Sequence, residues 1–277
     1  MKHAYLIIAH HNFEVLKYLV ESLDDVRNDI FIHFDKKVKS IPELKTRYCK
    51  LYVLQDRIDV RWGHVSQIQT ELKLLECAAK EEKYVYFHLI SGTHLPLKNQ
   101  EAIHEFFDHV NNLSLMSSLL DSEEEIERKL GYRHYFIRGC GSQNKFIKVM
   151  SNYAWRISLR VQKVSKKRVK GLYKGKYTNW ASLTEKDVKG ILELKQHILN
   201  KFRYSFCGDE LYKAYAISLT GSEFIDCDTL LFQKFKMASP IFLGISDLKG
   251  IYNSNYLFAR KISDNGIESI GKLLNNK

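Results

Sequence analysis

The N-terminal third of the chain alternates short, uniformly apolar runs with longer segments whose apolar residues recur every three or four positions. Short apolar runs are typical of strands covered on both faces, and the longer spacing is typical of amphipathic helices. The pattern predicts strands at Tyr5–Ala9, Ile30–Phe34, Leu51–Leu54 and Tyr84–Ile90, and helices at Phe13–Leu23 and Val65–Ala79.

This alternation predicts an α/β fold, a mixed and mostly parallel sheet flanked by helices. In such sheets ligands bind beyond the carboxyl ends of the strands. His10 and His11 follow the first strand, Asp35 follows the second and Ser91–His94 follows the fourth. We therefore expect these residues at the edge where a site forms.

The middle of the chain is less regular. Asp121–Arg128 is acidic and predicts a helix, and Tyr153–Lys170 predicts a basic one with Tyr153, Ile157 and Val161 along one face. Two interpretations of the basic helix stay open: a surface helix packed on the domain, or an interfacial helix bound to anionic lipid.

Neither a composition shift nor an internal repeat divides the chain. We predict one domain over residues 1–277, with a variable basic segment at about 120–176.

Charge narrows the choice of partner. The chain has 277 residues, with 43 Lys and Arg against 32 Asp and Glu, a net charge of +11. A globular composition with only 3 Pro excludes disordered and collagen-like classes. The basic excess indicates a polyanionic partner: nucleic acid, an anionic membrane surface or a phosphorylated small molecule.

The cysteines and the apolar runs indicate a cytoplasmic protein. The 5 cysteines are widely spaced and form no C-x-x-C pair, so we expect neither a disulfide framework nor a zinc site. The run Ala4–Ala9 is too short for a signal peptide, and no other run reaches the roughly 18 residues of a membrane span.

Three familiar motifs fail on spacing or context. Gly171–Lys176 is one residue short of a phosphate-binding loop, and Tyr177 stands where Ser or Thr would bind magnesium. His104 and His109 lie five positions apart, so they cannot share a helix face as zinc-protease ligands do. Asp226-Cys227-Asp228 fits the D-x-D pattern of metal-binding sugar-nucleotide enzymes, but only as a weak, isolated match.

Several short segments occur in an order that is specific when taken together. They are Tyr5–His11, Ile32–Lys37, Trp62-Gly63, Leu89–Lys98, Trp180–Thr184, Asp209-Glu210 and Leu257–Lys261. In sequence and order they resemble the core-2/I-branching β-1,6-N-acetylglucosaminyltransferases, a family that also contains peptide O-xylosyltransferases. The resemblance implies a GT-A-like fold and an inverting, metal-independent transfer of a sugar from a UDP-sugar to a hydroxyl, with no cofactor.

The resemblance assigns the catalytic base to Glu210. An inverting transfer needs one group that removes the proton of the attacking hydroxyl, and a carboxylate within hydrogen-bond reach suffices. Without the resemblance, the helix dipole is the favoured explanation of an Asp-Glu pair at the start of a helix.

The diphosphate leaving group needs cationic stabilisation. The family's lysine falls on Lys261, and Arg260 adjoins it. The family's second basic residue falls on Ala238, a departure that leaves Lys236, or failing that Lys234, as a shifted replacement. If neither lysine reaches the site, a metal held by Asp226 and Asp228 gains support.

The remaining assignments divide between donor and acceptor. The resemblance places uridine and ribose contacts at His10, His11 and Asp35. The acceptor and sugar side is assigned His94, where the family usually has Asp, and with it Trp180, Arg133 and Asp209.

We therefore expect a glycosyltransferase that moves a sugar, N-acetylglucosamine by the resemblance, to a saccharide or lipid-linked saccharide. A bacterial enzyme of this kind would work in the cytoplasm on surface polysaccharide or lipooligosaccharide, peripherally at the membrane. The alternative is a non-catalytic, basic nucleic-acid-binding protein, although no recognised nucleic-acid module is present.

Overall fold

A computed structural model describes residues 2–120, 123–165, 175–236, 239–251, 253–265 and 267. The strands are β1 (His3–Ala9), β2 (Asn28–Phe34), β3 (Lys50–Val53), β4 (Tyr86–Ser91), β5 (Leu95–Pro96), β6 (Ser114–Ser118), β7 (Tyr177–Thr184), β8 (Phe224–Asp226), β9 (Leu231–Gln233), β10 (Phe235–Lys236), β11 (Ser239–Pro240) and β12 (Phe258–Arg260). The helices are α1 (Phe13–Ser22), α2 (Ser66–Glu81), α3 (Gln100–Asp108), α4 (Glu123–Leu130), α5 (Ile137–Cys140), α6 (Lys145–Val164), α7 (Glu185–Glu193), α8 (Lys195–Phe202), α9 (Tyr212–Leu219) and α10 (Ile245–Ile251), and Gly208–Glu210 forms a 3-10 turn.

The central sheet has seven strands in the order β3-β2-β1-β4-β7-β6-β8. Strands β1, β2, β3 and β4 run parallel, whereas β7 lies antiparallel between β4 and β6. The predicted α/β class with a mixed, mostly parallel sheet flanked by helices is confirmed. The parallel half brings the carboxyl ends of β1, β2 and β4 to one edge.

The core lies on both faces of this sheet because successive side chains of a strand point in opposite directions. In β1, Ala4 and Leu6 join the apolar cluster with α2, α7 and α9. Tyr5 and Ile7 join the cluster with α1 and α3 on the other face. Burial of each large apolar side chain stabilises the fold by about 1.5–3 kcal/mol.

Helix α6 differs most from its predicted bounds. It begins at Lys145, where Asn144 Oδ1 accepts the Phe146 N–H at 3.0 Å, rather than at Tyr153. A cap of this kind satisfies an N–H that the first helical turn leaves without a partner. Its described part ends at Val164, and residues 166–170 of the predicted helix lie outside the described residues.

The second half of the sheet was not predicted. Strand β6 is mostly serine and β7 mixes polar and aromatic residues, so neither forms an apolar run. Their place is determined by tertiary pairing, which overrides weak local preference. Over the described ranges, no helix combines the length and apolarity needed to cross a membrane.

Candidate active site

A cleft of about 490 Å³ opens at the carboxyl edge of the parallel strands. Eight of the sequence-predicted site residues line it: His10, His11, Asp35, Trp180, Asp209, Glu210, Arg260 and Lys261. They come from the ends of β1, β2 and β12, from β7 and from the 3-10 turn. The fold thus brings together groups separated by up to 251 positions (261 − 10) in the chain.

Glu210 is the partly exposed carboxylate of this cleft. The chain enters the 3-10 turn through Cys207 in a left-handed conformation, with φ of 51°, and the Cys207 N–H donates to Gly63 O at 3.0 Å. This turn places Glu210 beside the cleft, where its Oε2 accepts a hydrogen bond from Lys129 Nζ.

Lys129 is buried between two carboxylates. Its Nζ also lies 3.1 Å from Glu125, one helical turn earlier on α4. Burial lowers the pKa of Lys129, but pairing with Glu210 outweighs this effect and leaves the pKa above its ordinary value. Lys129 is therefore a cation held between two carboxylates, and it orients Glu210 through Oε2.

Asp209 adjoins Glu210 but is fully buried in the wall of the cleft. Burial, followed by repulsion from Glu210 and Glu71, raises the pKa of Asp209 to about 7. Within the described part of the chain, Asp209 Oδ1 has no hydrogen-bond partner. Behind it, Lys213 Nζ donates to Glu71 Oε2 at 2.7 Å and to Asp209 O at 3.0 Å.

Arg260 and Lys261 form a cationic wall. The Arg260 guanidinium carbon lies 4.8 Å from the centre of the Trp180 ring, and Lys261 Nζ lies 5.1 Å from that of Phe242. Burial lowers the pKa of Arg260 to about 10, and burial with repulsion from Arg260 lowers the pKa of Lys261. Among the described residues no carboxylate offsets either shift, so both cations are available to an anionic ligand.

The two histidines at the end of β1 lie next to these cations. The rings of His10 and His11 stack with centroids 4.0 Å apart. Burial lowers the pKa of both, and burial with repulsion from His10, Lys261 and Arg260 lowers the pKa of His11 to about 4. His11 is consequently neutral at pH 7 and can donate or accept a hydrogen bond without adding charge.

Lys37 fixes the position of the Asp35 carboxylate. Asp35 Oδ1 accepts the Lys37 backbone N–H at 2.8 Å and its Oδ2 accepts Lys37 Nζ at 2.7 Å. Lys37 Nζ also reaches Asp59 Oδ1 at 2.9 Å. This network orients the Asp35 carboxylate at the end of β2, where it lines the cleft.

Three predicted site residues do not line the cleft. His94 is buried behind Trp180, with ring centroids 5.0 Å apart, and its Nδ1 accepts the Ser91 N–H at 3.0 Å. Lys236 is exposed on β10, although its neighbour Phe235 lines the cleft. Arg133 lies elsewhere, where its N–H donates to Gln162 Oε1 at 2.9 Å. The roles assigned to these three remain predictions, and Ala238 lies outside the described residues.

In the D-x-D candidate, Asp226 contributes a hydrogen bond to the sheet. Asp226 ends β8, and its Oδ1 accepts the Ser118 N–H at 2.8 Å. In the portion of the chain that the structure describes, no group of three or more His, Cys, Asp and Glu side chains could hold a metal ion. His104, the rejected zinc candidate, is buried and its Nε2 donates to Asn28 Oδ1 at 3.0 Å.

Sequence reasoning missed several residues of the site. Gln67 and Asn179 line the cleft, and Lys129 holds Glu210 from behind. Lys37 and Trp62, which also line it, belong to segments that carry the resemblance but were given no role in the site. Lys129 carries no sequence signal, because its link to Glu210 spans 81 positions.

A glycosyltransferase is the class that this site and the comparisons with known proteins define. The sequence model described as "Core-2/I-Branching enzyme" matches residues 3–212, which is most of the chain. The chain belongs to the core-2/I-branching enzyme family, so the predicted family is confirmed and the non-catalytic nucleic-acid-binding alternative is set aside. Such an enzyme has a sugar donor and a saccharide acceptor.

Two further comparisons add less. Mouse xyloside xylosyltransferase 1 in its apo form is similar to the structure with a TM-score of 0.43 and 10% sequence identity, over 96% of this chain and 99% of that one. No curated protein matches the sequence.

Proposed function

We propose that this chain is an inverting, metal-independent glycosyltransferase that moves N-acetylglucosamine from a UDP-sugar to a hydroxyl of a saccharide. The observation that carries the proposal is one cleft lined by the carboxylate of Glu210 and by the cations Arg260 and Lys261. A base and a diphosphate-binding wall are the two chemical parts that a displacement of this kind requires.

In the proposed reaction, Glu210 Oε1 takes the proton of the acceptor hydroxyl as that oxygen attacks the anomeric carbon. The bond from this carbon to the diphosphate breaks on the opposite face, so the configuration inverts and UDP leaves with an additional negative charge. Arg260 and Lys261 stabilise that charge, a role that a divalent metal plays in other enzymes.

The remaining cleft residues are proposed to contact either the UDP-sugar donor or the sugar and acceptor. Asp35 accepts hydrogen bonds from the ribose hydroxyls, and the neutral His10 and His11 contact the uridine. Trp180, fixed against Arg260, offers a ring face to a sugar. Asp209, whose pKa is raised to about 7, holds below that pH a proton that can be donated to a sugar hydroxyl.

The acceptor we propose is a saccharide or lipid-linked saccharide of bacterial surface polysaccharide or lipooligosaccharide. The reaction would take place in the cytoplasm at the membrane's inner face. This assignment rests on the sequence resemblance and on the basic charge of +11, which favours acceptors carried on phosphate-bearing lipids.

A UDP-sugar panel tests the donor and the metal requirement together. UDP-N-acetylglucosamine, UDP-xylose, UDP-glucose and UDP-galactose are compared by thermal shift and by UDP release, with and without EDTA. We expect UDP-N-acetylglucosamine to raise the Tm and to turn over equally in EDTA. Turnover that disappears in EDTA and returns with Mn²⁺ would overturn metal independence, and a panel without any response would overturn the UDP-sugar donor.

A further inference from the structure

Helix α6 exposes its apolar face. Large apolar side chains on it are open to solvent in the fractions Phe146 74%, Val149 66%, Met150 51%, Tyr153 65%, Ile157 42%, Val161 60% and Val164 86%. In a helix, residues three or four positions apart lie on the same side, so these residues form one continuous stripe. We call this stripe the outer face of α6.

The opposite side of α6 is the one that packs on the protein. Trp155 Nε1 donates to His134 Nδ1 at 3.0 Å, and the Trp155 ring lies 5.6 Å from that of Phe206. Gln162 Nε2 donates to Arg133 O at 2.8 Å. The helix is therefore anchored by an aromatic and a polar side chain, while the outer face points away from the core.

The charge of α6 is of one sign. Over Lys145–Val164 there are five basic residues and no Asp or Glu. The basic residues, all exposed, are Lys145, Lys148, Arg156, Arg160 and Lys163. At 3.6 residues per turn, Arg156, Arg160 and Lys163 lie along one flank of the outer face.

An ordinary surface helix buries its apolar stripe against the core and turns its charges to solvent. Helix α6 exposes both its apolar stripe and its charges to solvent, which leaves a contiguous apolar surface of the kind that marks an interaction site. An apolar stripe about 30 Å long, flanked by Lys and Arg, suits the interface of a bilayer with anionic headgroups.

We propose that the outer face of α6 docks the enzyme on an anionic lipid bilayer. Phe146, Tyr153 and Ile157 insert at the level of the headgroups, while Arg156 and Arg160 pair with lipid phosphates. The charge of α6 favours an anionic bilayer over a second copy of the chain. A second copy would place five basic residues against five others, whereas a phosphate-bearing surface neutralises them. The docking does not depend on the identity of the donor sugar.

Vesicle sedimentation of the full chain tests this docking. The wild-type protein is mixed with phosphatidylcholine vesicles or with vesicles that also contain phosphatidylglycerol. We expect it to sediment with the anionic vesicles only, and less so at high salt. Two variants probe the surface: Phe146→Ser with Tyr153→Ser and Ile157→Ser, and Arg156→Glu with Arg160→Glu. Each should lower the bound fraction at least about tenfold, because the first removes apolar side chains that insert at the headgroups and the second removes cations that pair with lipid phosphates.

A matched control distinguishes binding by the outer face of α6 from an effect of the total charge of the protein. Lys39→Glu with Lys83→Glu changes the net charge equally at exposed positions outside α6 and should bind like wild type. Unchanged circular dichroism and Tm show that the variants are folded. Binding that falls equally in the control, or wild-type protein that stays in the supernatant with anionic vesicles, overturns the proposal. So does a dimer in solution that the triple variant dissociates, because a second copy would then occupy the face.

Discussion

Lys129 Nζ donates a hydrogen bond to Glu210 Oε2, joining α4 to the 3-10 turn across 81 positions of sequence. The cation is itself held by Glu125 at 3.1 Å, so the contact has a fixed direction. The contact places the carboxylate without occupying its second oxygen.

Replacing Lys129 tests whether it positions the proposed base. Lys129→Met removes the ammonium and should lower kcat by about 10- to 100-fold, because misplacing a reacting group costs rate of that order. The donor KM should change less, since Lys129 does not line the cleft. Lys129→Arg, which keeps the charge, should recover part of the rate, and Lys83→Met serves as the exposed control. A merely structural role would lower Tm in both variants without this recovery.

Asp209 predicts a pH-dependent stability. Its pKa is about 7 in the folded protein against an ordinary value of 3.8, so between these pH values the folded state holds a proton that the unfolded state has lost. Stability relative to Asp209→Asn should therefore fall as pH rises through this window, by up to roughly 1.4 kcal/mol per pH unit. The difference should level off above about pH 7.

Urea unfolding of wild type and Asp209→Asn between these pH values measures this effect. The exposed Asp228→Asn is the control, and its curve should run parallel to that of wild type. Parallel curves for Asp209→Asn as well would show that the buried carboxyl does not take up the proton.

Lys261 should act on the leaving group. Lys261→Met keeps the length of the side chain and removes its charge, so turnover should fall by about 10²–10³-fold, the cost of losing one charge-stabilising group. UDP affinity, measured by calorimetry, should fall as well. The exposed Lys249→Met should behave as wild type. Unchanged turnover in Lys261→Met would remove this residue from the diphosphate site.

Gly63 links the Trp62 segment to the turn that bears Glu210. Its φ is +70°, and a Cβ there would lie 2.6 Å from Phe206, next to the Cys207 whose N–H donates to Gly63 O. Gly63→Ala should lower the free energy of unfolding by at least roughly 1–2 kcal/mol, the cost of a left-handed backbone conformation for a residue with a Cβ. Gly221 has a φ of +69° and open space around it, so Gly221→Ala should lose only this backbone strain energy. Gly250→Ala has neither feature and lies inside α10, so it should keep or slightly raise the wild-type Tm. Equal Tm values for all three would contradict the packing described.

The parallel half of the fold was predictable from sequence, because strands covered on both faces have to be apolar throughout. Tyr5–Ala9 and Ile30–Phe34 both lie within observed strands. The antiparallel half was not predictable, since the serine-rich β6 owes its place to its neighbours. Asp35 was found because a strand end and the resemblance both pointed to it, whereas Lys261 was found through the resemblance alone.

Two features depend on contacts that no local pattern encodes. Lys129 meets Glu210 only after folding, and the exposure of the α6 outer face depends on Trp155 being the side that packs. From sequence, the stripe of Tyr153 and Ile157 is equally typical of a helix packed on the core.

Proton removal by Glu210 is the central claim of this account. Sugar transfer from UDP-N-acetylglucosamine is measured in EDTA for wild type and Glu210→Gln, alongside UDP binding. Since positioned acid–base groups contribute about 10²–10⁴-fold, Glu210→Gln should lose at least about 10²-fold in kcat while binding UDP as wild type does. Transfer by Glu210→Gln within a few-fold of the wild-type rate would contradict the account.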